Sequence, residues 1–258
     1  MAQFRCYHPD ALPSIGSAFT LNKEESHHLV TVLRARKSDE IMVFDGKGGA
    51  WSCQLIDLHP KKTTLSLLKA LPKQTEPRYP VILAQALPKG KCMDTVIRQA
   101  TETGVSQILP LHTRYSPFSL SKNAGTLPTK YARWQSIAVE ACKQSGNRII
   151  PQIANIQSLE EFLKQLPEKM PHALKLIASL QPEAKPLFEI LDPPPQPRPI
   201  LCLIGPEGDF SEDEYEEARK HGFHALSLSK HVLRVETAVI YALSILDYEI
   251  QKWGNATP

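Results

Sequence analysis

Residues 201–218 read LCLIGPEGDFSEDEYEEA, and this stretch predicts an α/β fold with a ligand site. The apolar run LCLI is typical of a buried strand, and a turn with Gly205 and Gly208 follows it. Ser211 and Glu214 have the spacing of a capping box, which predicts that a helix begins directly after the turn. Because glycine lets a ligand approach the backbone, the strand, turn and helix together predict a ligand-binding loop.

The charge of this loop indicates which kind of ligand it binds. A glycine turn before a helix N-terminus often binds phosphate, because free N–H groups and the helix dipole attract anions. Here five acidic residues crowd the turn and would repel a di- or triphosphate: Glu207, Asp209, Glu212, Asp213 and Glu214. A cofactor with a cationic centre and no phosphate fits better, and S-adenosylmethionine is one. A plain glycine turn before a charged helix start is the alternative.

A second loop, later in the sequence, is also a candidate for the ligand site. In LSLSKHVLRVETA (226–238), a strand runs into a loop that contains His231 and Arg234, and a helix begins around Glu236. If the strands pair in parallel, Arg234 faces the same crevice as the glycine turn. A structural ion pair of Arg234 with Glu236 or Glu207 is the alternative.

Strands and helices alternate from Val81 onward, which is typical of an α/β layer. The strands VILAQAL and SQILPLHT flank a helix predicted over 93–103 and closed by Gly104, and ALKLIAS, ILCLIG and ALSLS follow. Further helices are predicted near 129–144, 158–166, 211–221 and 236–252.

Residues 1–72 are strand-rich, with IMVFDG and AWSCQLIDL predicted to form a hairpin and TTLSLLKAL a further strand. Asn22 is expected to cap a helix from about Lys23 to Arg34, with Glu25 completing a capping box. LPKQTEPRYP has three prolines in ten residues and is typical of a linker. We therefore expect a small domain over 1–72, a linker over 73–80 and an α/β domain over 81–258.

Composition excludes several classes of protein. The 258 residues are 42% apolar, as in ordinary globular proteins, and no run approaches the roughly 20 apolar residues of a bilayer span. With no secretory signal either, we expect a cytoplasmic protein without membrane contact. The five cysteines form no CxxC pair, and the adjacent His27 and His28 point in different directions on a helix, so no metal site or disulfide framework is expected.

Charge is distributed unevenly along the chain. Residues 85–148 carry nine Lys/Arg and three Asp/Glu, whereas 149–258 carry ten and sixteen. A basic middle beside an acidic end is expected where part of the surface meets RNA, and an ordinary solvated surface is the alternative. The candidates for phosphate contact are Lys89, Lys91, Arg98, Arg114 and Arg148, and the same stretch includes Arg133 and Lys143.

IGPEG (204–208) and VLRVETA (232–238) closely resemble the paired signatures of the ribosomal RNA small subunit methyltransferase E family, in the SPOUT class. Three further segments are similar in order and spacing: HHLVTVLRARKSDEIMVFDGKG, KGKCMDTVIRQATETGVSQILPL and RWQSIAVEACKQSGNRIIP. Together the five segments cover most of the chain.

The resemblance implies a fold and a reaction. It implies a SPOUT-type, trefoil-knotted α/β domain preceded by a small PUA-like β-barrel that helps to hold RNA. The expected activity is S-adenosylmethionine-dependent methylation of N3 of a uridine in 16S rRNA, within the small ribosomal subunit, by a homodimer.

The resemblance also implies site residues. Arg234 and Glu236 are the expected catalytic residues, and the expected cofactor-binding residues are Ile204, Gly205, Pro206, Glu207, Gly208, Leu228, Ser229, Leu233, Arg234 and Thr237. Asp209 stands where a glycine is common, but Asp tolerates the left-handed region. Ser229, Lys230 and His231 also depart from the family pattern, so their contacts are open.

Three other functions compete with this interpretation. One is a non-catalytic RNA-binding or ribosome-assembly protein of the same fold, which the changes at 229–231 allow. Another is a methyltransferase that acts on tRNA. A nucleotide hydrolase built on the glycine loop is the third, and the acidic loop argues against it.

Overall fold

The computed structural model describes residues 4–117, 124–193 and 195–255. They form two compact units. The first comprises residues 4–76 together with Val139–Ile150, and the second comprises Pro77–Ala138 and the described residues from Pro151 onward.

The first unit contains a sheet that is five-stranded within the described residues. Its elements are β1 (Phe4–Tyr7), β2 (Ala18–Thr20), α1 (Lys23–His27), a π-helical turn (His28–Val32), β3 (Glu40–Phe44), β4 (Ala50–Asp57) and β5 (Thr64–Ala70). The strand order is β1-β3-β4-β5-β2, with β1 parallel to β3 and the other pairs antiparallel. The predicted hairpin and the strand after it are confirmed as β3, β4 and β5.

The predicted helix after Asn22 is partly right. The Asn22 side chain accepts a hydrogen bond from the Glu25 backbone N–H at 2.8 Å, so the cap is confirmed. The capping box is wrong, because the Glu25 carboxylate accepts from the Tyr7 backbone N–H and from the Lys143 ammonium instead. The helix does not continue to Arg34, since the π-helical turn ends at Val32 and Arg34 has a left-handed φ of 53°.

Two hydrophobic clusters form the core of the first unit. The larger packs Leu29 of the π-helical turn against inward-facing residues of β3, β4 and β5, such as Ile41, Leu55 and Leu65. The smaller brings Cys142 against Phe44 and Ala50. The sequence pattern places Cys142 in the α/β domain, whereas its contacts belong to the first unit.

The second unit is an α/β layer built on a parallel sheet. Its first half contains β6 (Val81–Ala86), α2 (Cys92–Glu102), β7 (Gln107–His112), a 3₁₀ turn (Ala124–Thr126), α3 (Leu127–Ser145, whose last residues belong to the first unit), β8 (Gln152–Ile153) and β9 (Gln157–Ser158). Its second half contains α4 (Leu159–Lys169), β10 (Leu174–Ala178), β11 (Lys185–Pro186), α5 (Leu187–Ile190), β12 (Ile200–Ile204), α6 (Glu212–Lys220), β13 (His224–Ser227) and α7 (Val235–Asn255). The predicted alternation is confirmed, and Gly104 follows α2 with a φ of 80°.

The order of the strands decides where ligands can bind. The sheet runs β11-β13-β10-β12-β6-β7-β8, with β9 also pairing with β7, and the pairings among the described residues are all parallel. β10 lies between β12 and β13, so the loops after these three strands leave the sheet at one edge. Crevices outside the carboxyl ends of parallel strands are the usual ligand sites of such sheets.

None of the helices in the described part of the chain combines the length and apolar character that a membrane span needs.

Candidate active site

A pocket of about 530 Å³ opens at the edge where β10, β12 and β13 end. Its walls come from Ala178–Leu180 after β10, from the glycine turn after β12 and from the loop that joins β13 to α7. Cys92 at the start of α2 completes the wall. The expectation that the glycine turn and the Arg234 loop share one crevice is confirmed.

The sequence-predicted cofactor residues lie mostly in this pocket. Those that line it are Ile204, Gly205, Pro206, Glu207, Leu228, Ser229, Leu233 and Arg234. Gly208 and Thr237 do not line it: Gly208 packs against Tyr115, and Thr237 is exposed on α7. Of the positions that depart from the family pattern, Ser229 and His231 face the pocket, whereas Lys230 is exposed and outside the lining.

Asp209 adopts the left-handed conformation expected at this turn, with a φ of 61°. Its Oδ1 atom accepts hydrogen bonds from the Tyr215 hydroxyl at 2.8 Å and from the Phe210 backbone N–H at 2.9 Å. Asp and Asn enter this region more easily than most residues. The two hydrogen bonds compensate for the strain, so the loop keeps its turn without a glycine at this position.

The two glycines of the turn are needed for close approach. A Cβ at Gly205 would lie 3.2 Å from the Asp209 Oδ1 atom, and one at Gly208 would lie 3.0 Å from the Tyr115 Cβ atom. Side chains at these two positions would require Asp209 and Tyr115 to move by a few tenths of an ångström. Gln85 also contacts the turn. Its buried Nε2 donates to the Ala86 carbonyl oxygen at 2.7 Å, and its second N–H is shared between the carbonyl oxygens of Ile204 and Gly205 at 3.4 and 3.3 Å.

The capping box after the turn is confirmed. The Ser211 side chain accepts from the Glu214 backbone N–H, and the Glu214 carboxylate accepts from the Ser211 backbone N–H at 2.9 Å. Glu214 also accepts from the backbone N–H of Arg114. The capping box therefore fixes the point where α6 begins and, with it, the end of the glycine turn.

Carboxylates give the pocket its electrostatic character. Glu207, Asp209 and Glu236 line it, whereas Glu212, Asp213 and Glu214 belong to the first turn of α6. The pKa of the Glu236 carboxyl lies below its usual value, because the carboxylate accepts a hydrogen bond from the Glu236 backbone N–H and, with a smaller effect, one from the Cys92 thiol. Glu236 is therefore ionised at neutral pH, and the pocket is unsuited to a phosphate.

The Arg234 guanidinium is exposed at the pocket and forms no hydrogen bond or ion pair within the part of the chain that the structure describes. The structural pairing with Glu207 or Glu236 is therefore not formed. Glu207 accepts from the Lys89 backbone N–H at 2.9 Å, and Glu236 accepts from the Cys92 thiol at 3.3 Å. Arg234 is left available for a ligand.

The basic residues of 85–148 differ in their surroundings. Lys89, Lys91 and Arg98 are exposed in the second unit. Arg114 is exposed but lies 3.6 Å from Asp213, and Arg148 is half-buried and donates to the Pro72 carbonyl.

Two further members of this stretch have partners in the protein. Arg133 pairs with Asp94. Lys143 is buried against Glu25, so it is not one of the residues of this stretch that can meet a phosphate.

The pocket suits a cofactor such as S-adenosylmethionine. Its volume falls within the roughly 300–1,000 Å³ of small-molecule sites. Apolar side chains such as Leu180, Leu228 and Leu233 can cover a flat ring, while three carboxylates favour a cationic centre. The lining therefore fits a positively charged molecule with an apolar, aromatic part.

Comparison with known proteins supplies the family. Residues 74–247 match the RNA methyltransferase domain, and residues 21–68 match the RNA methyltransferase PUA domain. The ribosomal RNA small subunit methyltransferase E of Synechocystis sp. is 35% identical over 230 residues, which is 89% of this chain and 73% of that relative. The chain belongs to the ribosomal RNA small subunit methyltransferase E family. The family member from Bacillus subtilis is 28% identical, over 90% of this chain and 91% of the relative.

Solved structures agree with this assignment to the methyltransferase E family. The Neisseria gonorrhoeae ribosomal RNA small subunit methyltransferase E, bound to S-adenosylmethionine, matches with a TM-score of 0.84 and 31% identity over 96% of this chain and 98% of that one. A Legionella pneumophila protein in complex with the same cofactor matches with a TM-score of 0.87, at the same identity and coverage. The expected fold class, a SPOUT-type α/β domain preceded by a PUA-like domain, is confirmed.

The sequence pattern missed part of the pocket wall. Ala178–Leu180 line the pocket because β10 lies between β12 and β13, and sequence periodicity carries no information about strand order. The end of the predicted ALKLIAS strand could have indicated these residues, because ligand crevices lie outside the carboxyl ends of parallel strands. Cys92 was missed because a single cysteine at a helix start resembles any other small apolar residue.

Proposed function

We propose that this chain methylates N3 of a uridine in the 16S rRNA of the small ribosomal subunit. As a member of its family, it is an S-adenosylmethionine-dependent ribosomal RNA methyltransferase. The finer proposal rests on the pocket, where three carboxylates favour a cationic cofactor. Arg234, which has no hydrogen bond or ion pair with a described residue, opens there to a second ligand. An anionic pyrimidine ring is the kind of ligand that an unpaired arginine stabilises.

Two segments would hold the cofactor. Residues 204–208 and 228–234 provide backbone groups and apolar side chains at the pocket, and Ser229 adds a hydroxyl. When bound, S-adenosylmethionine supplies an electrophilic methyl group on its sulfonium. Thr237 and Gly208, which lie outside the pocket wall, would act by fixing the ends of these segments.

The RNA substrate must expose the pairing edge of its base. N3 of uridine takes part in base pairing, so the base has to be unpaired or flipped out before it can react. Exposed Lys89, Lys91, Arg98 and Arg114 would bind the flanking phosphates, and Arg148 is a weaker candidate because it already donates to the Pro72 carbonyl. Such contacts position the RNA without reading its sequence.

Arg234 and Glu236 would act on the flipped base. Loss of the N3 proton to solvent places negative charge on O2 and O4 of uracil until N3 takes the methyl group, and the planar guanidinium of Arg234 can stabilise this charge. Glu236 stays ionised at neutral pH, because its own backbone N–H and then the Cys92 thiol lower its pKa. A carboxylate of lowered pKa is a weak base, so Glu236 would mainly accept a hydrogen bond from N3–H and align the ring.

We also propose that the enzyme is a cytoplasmic homodimer. In its support, α7 carries exposed Tyr241 and Tyr248 next to the half-buried Ile240 and Ile245, which is apolar surface of the kind that a second copy covers.

Calorimetric titration of the full chain tests the nature of the cofactor. S-adenosylmethionine should bind and ATP should not, because the carboxylates at the pocket repel phosphates. The titration also separates the enzyme from a non-catalytic protein of the same fold that has lost the cofactor site. Tight binding of ATP with no binding of S-adenosylmethionine would contradict the proposal.

A further inference from the structure

One short turn contacts two acidic residues of the pocket. Residues 87–91 join β6 to α2, and the Lys89 backbone N–H donates to the Glu207 Oε1 atom at 2.9 Å. Three residues later, the Cys92 Sγ atom donates to the Glu236 Oε2 atom at 3.3 Å. The turn and the first residue of α2 therefore donate hydrogen bonds to two carboxylates of the pocket. These are Glu207, which follows β12, and Glu236, in the first turn of α7.

The Cys92 thiol is suited to act as a donor. It is half-buried at the start of α2, which packs against α7, and it lines the pocket. Burial, followed by the hydrogen bond and negative charge of Glu236, raises the pKa of the thiol to about 12. The thiol therefore keeps its proton at neutral pH. A hydrogen-bond donor needs this proton, whereas a nucleophilic cysteine has to lose it.

We propose that Cys92 is a positioning residue, which holds the Glu236 carboxylate at the pocket wall in the orientation that methyl transfer requires. This inference rests on the function proposed above, in which Glu236 aligns the uracil ring. The thiol donates to one carboxylate oxygen of Glu236, and the Glu236 backbone N–H also donates to this carboxylate. Because an ionised carboxylate has about four acceptor sites, it can still accept a hydrogen bond from the substrate.

The charged groups around Glu236 explain why the thiol matters. Its own backbone N–H and the Cys92 thiol lower its pKa, and Arg234 in the preceding loop contributes less. Glu207, after β12, is a like charge near Cys92. Without the thiol, Glu236 loses a hydrogen-bond donor, so its pKa rises and its side chain is free to rotate.

The test compares Cys92→Ala and Cys92→Val, which lack a donor, with Cys92→Ser, which keeps one, in the full-length protein. Turnover on small-subunit rRNA should fall about tenfold in the two non-donor variants, as for loss of one hydrogen bond to a charged group. Affinity for S-adenosylmethionine should change by less than about twofold, since residues 204–208 and 228–234, which would hold the cofactor, are kept. Cys92→Ser should recover most of the turnover.

The pH profile supplies a readout that a packing defect would not move. A donor that lowers the pKa of Glu236 keeps it ionised to lower pH, so the acidic limb of the rate profile should move to higher pH in Cys92→Ala and return in Cys92→Ser. In the Glu236→Gln background, Cys92→Ala should add little, because the two residues act as a unit.

A measurement without turnover keeps this inference separate from the proposed function. The carboxyl pKa of Glu236, followed by ¹³C NMR and assigned with Glu236→Gln, should rise in the non-donor variants and return in Cys92→Ser. Absence of methyl transfer in the unmodified protein would sink the proposed function, and the NMR titration would still decide whether Cys92 holds Glu236. An unshifted pKa, or a Cys92→Ser variant as slow as Cys92→Ala, would overturn the inference.

Discussion

The Lys143 Nζ atom lies 2.9 Å from the Glu25 Oε1 atom, and only 6% and 8% of the two side chains are exposed. Burial alone would lower the pKa of the Lys143 ammonium, but the carboxylates of Glu25 and Glu140 outweigh it and hold that pKa above its usual value. Glu25 also accepts from the Tyr7 backbone N–H. The pair thus fastens the end of α3 to β1 and α1 within the first unit.

Glu25→Ala should destabilise the protein by about 3–5 kcal/mol, because it leaves the Lys143 charge buried with only the surface carboxylate of Glu140. Glu140→Ala is the matched control, since its side chain is 56% exposed and contacts the same ammonium. It should cost about 1 kcal/mol or less. Chemical denaturation of both variants measures the difference, and equal losses would show that the buried pair is not what holds α3.

Asp209→Ala should weaken the glycine turn more than Asp209→Gly does. Both lose the hydrogen bonds from Tyr215 and Phe210, but the left-handed φ of 61° is strained only for alanine, at a cost of roughly 1–2 kcal/mol. Thermal unfolding and calorimetric titration with S-adenosylmethionine should therefore rank the variants as wild type, then Gly, then Ala. The reverse ranking of Gly and Ala would mean that backbone strain at this turn is unimportant.

Charge reversal at Lys89 and Lys91 should reduce RNA affinity and leave cofactor affinity nearly unchanged. The two side chains are exposed, and the structural bond of Lys89 to Glu207 uses its backbone N–H, which the substitution keeps. The slope of log affinity against log salt should fall by about 1 for each lost phosphate contact.

Lys164→Glu provides the control for this charge reversal, because Lys164 is also exposed but lies in the acidic part of the chain, on α4. It should not change RNA affinity. Equal loss of RNA and cofactor affinity in the Lys89 and Lys91 variants would indicate that these lysines are structural.

Arg234→Ala should reduce methyl transfer by roughly a hundredfold, as for loss of one donor to a developing negative charge. Because the Arg234 guanidinium forms no hydrogen bond or ion pair with the described residues, thermal stability should change little. Cofactor affinity should also change little, since residues 228–234 would hold the cofactor through backbone groups and apolar side chains. Arg234→Lys should stay well below wild type, since lysine keeps the charge and loses the planar, two-pronged geometry. A stable Arg234→Ala protein with near-normal turnover would remove Arg234 from the catalytic residues.

Much of the fold could be predicted from local sequence patterns. Strands such as β12 were visible from their apolar runs, and Asn22 and Ser211 marked helix starts that the structure confirms. These features depend on residues close in the chain, which is why one sequence is sufficient to find them. The left-handed backbone at Asp209 was expected instead from the family resemblance, because glycine is common at this position and Asp enters the region more easily than most residues.

Features that depend on distant contacts could not be predicted in this way. The packing of Val139–Ile150 with the first unit, and the burial of Lys143 there, depend on Glu25 more than a hundred residues away. The place of β10 in the sheet brings Ala178–Leu180 to the pocket, and periodicity is blind to strand order. The trefoil knot is implied only by family resemblance and stays a prediction, since knots are nearly absent among folds.

The central claim is the methylation of a uridine at N3 in small-subunit rRNA. Its most direct test is mass spectrometry of nucleosides from the 16S rRNA of a strain that lacks this gene, compared with the same strain complemented by the wild type or by Arg234→Ala. The account predicts that 3-methyluridine disappears on deletion, returns with the wild type and stays absent or strongly reduced with Arg234→Ala. Unchanged 3-methyluridine in 16S rRNA, with loss of a methylated nucleoside from tRNA instead, would contradict it.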